Sequence, residues 1–219
     1  MQNIITAQDI ADFAPDLDTS AYNATTMSGI ITQATHRLVN LANVKGFDFA
    51  TETDEEDRAL INNKGELVVS VKRRPITSVS SIKLVRGGFS TSLTLNDGAG
   101  NPYYEIPYPG NRLHLPSTYL MMSGTYLAGG QSQMLSLKGA DLFCKVTYQG
   151  GYQTIPQDLV EATILMVRDI IAVKNNPAGV KSFNQGSYSV TFDSNGVSNL
   201  YNLAKTILYE GDYVKPEIF

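Results

Sequence analysis

The spacing of hydrophobic positions along the chain changes twice. Met27, Ile30, Ala34, Leu38 and Leu41 recur three or four residues apart, the period of one helix face, and Gly46 offers a stop. Ahead of them, Thr6 is placed to cap a short helix that runs to Phe13 and is ended by Pro15. Thr53-Asp54-Glu55-Glu56 has the spacing of a capping box. Its acidic residues suit the positive end of a further short helix carrying Arg58 and Leu60.

From about Glu66 the period drops to two. ELVVSVK, SVSSIKLV, SLTLN, PYYEI, NRLHL, TYLMM, QMLSLKG and DLFCKVTY alternate apolar and polar positions, and clusters such as NDGAGNP and PYPGN separate them. So many short strands are expected to close as a sandwich or barrel around one core, because open sheet edges invite aggregation.

The alternation stops at Gly150-Gly151, and Pro156 sets the first turn of a helix. Leu159, Val160, Ala162, Ile164, Leu165, Val167, Ile170 and Ile171 make that helix apolar on nearly every side, as befits a central helix surrounded by protein. SFNQGSYSVTFD then reads as extended. Val197, Leu200, Leu203, Ala204, Ile207 and Leu208 form a last helical stripe, and EGDYVKPEIF is left as a tail.

These zones predict an α+β fold: a helical-bundle core interrupted by an inserted β-sandwich or barrel-like domain, with an extended C-terminal tail. The expected boundaries are residues 1–65 and 153–208 for the two helical parts, 66–152 for the insertion and 209–219 for the tail. Both helical zones carry apolar faces too large to leave in water, so one shared core is the economical arrangement.

Composition supports this reading and narrows the chemistry. At 219 residues and 42% hydrophobic, the chain can bury a substantial core. A formal charge of −4 argues against a surface that wraps nucleic acid, which needs clustered Lys and Arg to displace counterions. MQNIITAQDIADFAP lacks the basic start and apolar core of a signal peptide, and no run has the length of a membrane span, so synthesis in the cytoplasm and no membrane contact are expected.

Cys144 excludes an internal disulfide and, within an alternating strand, reads as a packed thiol. His36 and His114 lie far apart, and Asp54-Glu55-Glu56-Asp57 lacks the alternating ligands and glycine of a calcium loop. Ser80 and Lys83 have the S-x-x-K spacing of some acyl-transfer enzymes, but in a strand rather than on a helix. No enzyme, metal or cofactor is therefore expected. Lys72-Arg73-Arg74-Pro75 is the one basic run; its residues are candidates for contact with DNA phosphates, although a strand end broken by Pro75 accounts for it better, since one short run cannot form a continuous basic groove.

Three segments in order resemble the head-to-tail connector (adaptor, head-completion) proteins of tailed bacteriophages: IITAQDIADFAPDL before a helix with Ala34, RRPITSVSSIKL, and VTYQGGYQTIPQDLVEATILMV. KSFNQGSYSVTF ahead of the terminal helix is a weaker fourth. The stretch from about Arg86 to Gly139 has no counterpart in the shorter members and looks like an enlargement of the β-domain.

The resemblance implies a structural virion protein of the neck, made in the bacterial host cytoplasm. It implies a homo-oligomeric ring, often of twelve subunits, which binds the portal protein on one side and the next neck or tail protein on the other. DNA passes transiently and without sequence preference through the channel. The C-terminal segment of such proteins reaches the portal. Carried onto this chain, that segment holds Tyr209, Tyr213, Val214, Pro216, Ile218 and Phe219, apolar and aromatic groups suited to a partner's groove.

An alternative of another class is a β-type carbohydrate- or surface-binding module of a phage tail or virion. Tyr103, Tyr104, Tyr108, Tyr119 and Tyr126 prompt it, since tyrosine rings can stack on sugars.

Overall fold

In a computed structural model of the chain, the residues described are 2–61, 67–86, 89–96, 103–106, 112–115, 142–175, 181–185, 187–192 and 198–214. The elements begin with helices α1 (Ala7–Phe13) and α2 (Ala24–Ala42). Strands β1 (Ala50–Arg58), β2 (Leu60–Ile61), β3 (Leu67–Ser70), β4 (Ile76–Arg86), β5 (Phe89–Ser92), β6 (Thr94–Leu95), β7 (Tyr103–Tyr104), β8 (Arg112–Leu115) and β9 (Leu142–Gly150) follow. The chain then forms α3 (Gln157–Asn175), the hairpin β10 (Ser182–Gln185) and β11 (Tyr188–Thr191), and α4 (Asn199–Glu210). The fold class is α+β.

Two compact units divide the chain, one built from its two ends and the other from Phe49–Gly151 between them. In the helical unit, Thr6 and Asp9 close a reciprocal cap on α1: the Thr6 amide donates to the Asp9 carboxylate at 2.6 Å, and the Asp9 amide donates back to the Thr6 hydroxyl at 3.3 Å. Asn23 caps α2, which stops at Asn43, whose φ of 51° lies in the left-handed region. Met27, Ile30, Ala34 and Leu38 are buried, as their spacing predicts. They share a core with Leu159, Leu165, Met166 and Ile170 of α3 and with Leu200, Ala204 and Leu208 of α4. Helix α3 packs against both α2 and α4, the central place its apolar circumference predicts.

In the β unit, a four-stranded antiparallel sheet has the order β1-β9-β4-β5, and a three-stranded antiparallel sheet the order β2-β3-β8. Ile82, Leu84, Cys144, Val146 and Tyr148 from the first sheet and Leu67, Val69, Leu113 and Leu115 from the second form one buried cluster. Two sheets sharing a core describe a sandwich-like arrangement; the described strands do not join into a closed barrel. The runs TYLMM and QMLSLKG lie outside the described residues.

One prediction is corrected. The acidic segment after Thr53 is not a helix but strand β1, and the β unit accordingly begins at Phe49 rather than Glu66. Pairing with β9 overrides the local capping pattern. On the outward face the Thr147 hydroxyl donates to Asp54 at 2.6 Å, and Lys145 pairs with Glu56 at 3.1 Å. On the other face Glu55 accepts hydrogen bonds from the Lys72 amide and the Tyr148 hydroxyl.

The ends of the insertion meet. The Tyr152 amide donates to the Phe47 carbonyl at 2.8 Å, and Asp48 and Tyr152 form a parallel bridge. On the β side of the same crossing, Ala50 stands opposite Gly150.

Candidate functional site

The C-terminal segment folds differently from the expected tail. Helix α4 continues through Tyr209, which is exposed in the last turn with the Lys205 ammonium 5.8 Å from its ring centre. Asp212 takes a left-handed φ of 55° and turns the chain back, so that the Tyr213 amide donates to the Leu208 carbonyl at 2.9 Å. The Tyr213 ring is buried edge-on to Phe47 and Tyr152, with centroids 6.1 and 6.0 Å away. Its hydroxyl donates to the Asp158 carboxylate, 2.7 and 2.6 Å from the two oxygens.

Burial first, and then the hydrogen bond to Asp158, holds the Tyr213 hydroxyl well above the usual tyrosine range. A Cβ on Gly211 would lie 2.1 Å from a carbon of this ring, so glycine is required where the turn closes. Val214 packs against the same core. Tyr213 is therefore part of the core of the helical unit, and Val214 is partly buried against it. Pro216, Ile218 and Phe219 lie outside the described residues.

The basic run is also drawn in. Arg74 is only 5% exposed, and Lys72 and Arg73 are half-buried. The Lys72 amide donates to Glu55 Oε2 at 2.8 Å, and the Arg73 amide donates to the Tyr148 hydroxyl at 2.9 Å. That hydroxyl in turn donates to Glu55 Oε1 at 2.7 Å. Burial and then the Glu55 charge push Tyr148 far above its ordinary pKa. Lys72-Arg73-Arg74 is thus the turn leading into β4, tied to β1 and β9 by the Lys72 and Arg73 amides, with Arg74 buried.

Gly150 serves the same turn. A Cβ there would stand 2.8 Å from the Arg73 carbonyl oxygen and 3.0 Å from that of Pro75, while the Gly151 amide donates to the latter at 3.0 Å. Gly151 itself has a φ of 97°. Of the paired glycines that end the alternation, Gly150 is therefore demanded by the close approach of two backbones and Gly151 by its positive φ.

Cys144 is fully buried, and burial pushes its thiol up to about 12. His36 is exposed on α2, and His114 is half-buried in β8. Asp54, Glu55, Glu56 and Asp57 alternate between the faces of β1, and among the described residues no group of three or more His, Cys, Asp or Glu is placed to hold a metal ion. Tyr104, a candidate for sugar stacking, lies in the core of the β unit; Tyr108, Tyr119 and Tyr126 lie outside the described residues. Ser80 and Lys83, three residues apart in β4, do not share a face; it is Ser81, two residues before Lys83, that shares a groove with it.

Two features escaped the sequence. The adjacent residues Arg168 and Asp169, both buried in α3, tie down different elements. Arg168 pairs with Asp16, which also accepts from the Ser187 amide at 2.7 Å. The hydrogen bond from Arg168 is the main reason the Asp16 carboxyl sits well below the usual range. Asp169 pairs with Arg37 of α2 at 3.0 Å and accepts from the hydroxyl of Ser198, the cap of α4, at 2.5 Å. Charged neighbours within an apolar helix were the available signal, since such groups are buried only when paired.

The second feature is an open groove of about 350 Å³ on the outward face of the four-stranded sheet. Asp54, Glu55 and Glu56 of β1, Lys145, Val146 and Thr147 of β9, and Ser81 and Lys83 of β4 line it.

No protein-family model matches the chain, and no curated protein matches it. Among solved structures, a chain described as "Virion of native gene transfer agent (GTA) particle" superposes with a TM-score of 0.44 at 12% sequence identity, over 100% of this chain and 96% of that one. That similarity is too low to carry a role from one to the other. Among the described residues, no helix is long and apolar enough to cross a membrane.

Proposed function

We propose that this chain is a structural virion protein, a head-to-tail connector that assembles into a ring between portal and tail and works by shape and contact rather than by catalysis. The observation that carries the reading is the insertion. A helical unit is assembled from both ends of the chain, and a β unit enters and leaves it at the hydrogen-bonded Phe47 and Tyr152. This is the arrangement that the resemblance of IITAQDIADFAPDL, RRPITSVSSIKL and VTYQGGYQTIPQDLVEATILMV implies.

In this proposal the helical units pack side by side, the β unit meets the next neck or tail component, and the segment that reaches the portal begins after Val214. A subunit of charge −4 repeated around a channel disfavours phosphate binding and lets DNA slide. The test is mass by light scattering, alone and with the portal of the same phage, beside a copy lacking residues 215–219. Ring formation by the full chain, with loss of portal binding on truncation, supports the proposal. A chain that stays monomeric and ignores the portal at every concentration overturns it.

A further inference from the structure

The outward face of the four-stranded sheet carries an electrostatic arrangement that the fold itself does not need. In one row across the strands, Glu56 stands opposite Lys145, Lys145 opposite Lys83, and Lys83 opposite Ser92. In the next row Asp54 stands opposite Thr147, and Thr147 opposite Ser81. Two lysines directly opposite each other on neighbouring strands repel, and a sheet gains nothing from the pairing. Glu56 answers Lys145 at 3.1 Å, and the Thr147 hydroxyl answers Asp54 at 2.6 Å. Among the described residues Lys83 has no ion-pair partner, so this side of the groove keeps a surplus positive charge, bordered by the Ser81 hydroxyl.

We infer that this face is a docking surface for a segment of a partner protein that sets an acidic side chain between Lys83 and Lys145 and a basic one over Asp54 and Glu56. The charge pattern selects this occupant. With strands about 4.8 Å apart, the acidic strand β1 lies about 10 Å from the basic strand β4. A short peptide carrying one charge of each sign spans that distance. A nucleic-acid backbone, negative along its whole length, would have to lie against Asp54 and Glu56 as well as the lysines, on a chain that is already negative. The inference concerns one face of one subunit and stands whether or not the connector reading does.

The probes are capped Glu-Ser-Ser-Lys peptides, an all-serine control and a short DNA duplex, each titrated into the isotopically labelled full-length chain and followed by backbone amide NMR. The Glu/Lys peptide is expected to shift the amides of Ser81, Lys83, Lys145 and Thr147, while the control and the duplex leave them in place. Lys83→Gln is expected to weaken peptide binding about three- to fivefold, the scale of one exposed ion pair. The same substitution is expected to raise the melting temperature of the unbound protein, because it removes the repulsion from Lys145. Failure of the peptide to move these amides, equal binding by Lys83→Gln, a lower melting temperature for that variant, or a stronger response to the duplex would each overturn the inference. The last result would reassign the face to nucleic acid.

Discussion

The Tyr213 hydroxyl rests on the Asp158 carboxylate, 55 residues earlier in the chain, and this bond fixes the end of the helical unit against the first turn of α3. Tyr213→Phe removes a hydrogen bond to a charged acceptor and should cost about 1–3 kcal/mol in urea unfolding. Tyr213→Ala also empties the space between Phe47 and Tyr152 and should cost about 3–5 kcal/mol. A tyrosine that served only as a partner contact would leave the unfolding midpoint unmoved in both variants.

Asp16 should make stability sensitive to acid. Its carboxyl, held by Arg168, binds a proton less readily in the folded chain than at the ordinary value of 3.8. Its contribution is thus complete above about pH 4 and is lost as pH falls through that value toward the folded one. Asp16→Asn takes the acidic partner from a buried guanidinium and should cost about 3 kcal/mol at neutral pH. A urea-midpoint profile between pH 2 and 7 should be flatter for the variant than for the parent.

At the alkaline end the sign reverses. Tyr148, Tyr213 and Cys144 all lose their protons less readily in the folded state than at their ordinary values of 10.0, 10.0 and 9.0. Their contributions are complete below about pH 9 and decline as pH rises beyond it. The stability profile should fall there before any backbone chemistry intervenes. Cys144 should also resist a thiol reagent at pH 8 and react only at the rate of unfolding, whereas rapid labelling of the native protein would contradict its burial.

Gly150→Ala pushes a methyl group toward two backbone carbonyls and should destabilise the β unit by about 1–3 kcal/mol. Hydrogen exchange should show the loss in β4 and β9, with little change in α2 and α3. Uniform loss across the chain would mean that the two units unfold as one.

Most of the helices were legible because their stripes are spaced by burial: Met27 to Leu38 on α2, and Leu200, Ala204 and Leu208 on α4. The alternation of Cys144, Val146 and Tyr148 likewise marked β9. Strand β1 was not legible. Its inward positions Thr53, Glu55 and Asp57 are polar, and Glu55 is held there by hydrogen bonds from Tyr148 and the Lys72 amide, both distant in sequence. The same kind of non-local bond concealed the fate of the C-terminal residues. Nothing near Tyr213 in sequence announces Asp158, and the required glycine at 211 reads locally as an ordinary helix end. The pull of Lys72 and Arg73 toward the sheet was hidden for a similar reason, since their side-chain charges suggest solvent while their backbone amides are committed to Glu55 and Tyr148.

The hydrogen bond between Phe47 and Tyr152 places the departure and return of the chain side by side. Seen from the helices, the whole β unit is a single long loop whose closure is already secured at its root, and the entropy of closing a loop grows only slowly with its length. The helical unit can therefore accept a shorter, longer or unrelated module at this point with little effect on its own folding. A lineage could remodel what this protein touches by exchanging that cassette and leave the framework that holds it intact.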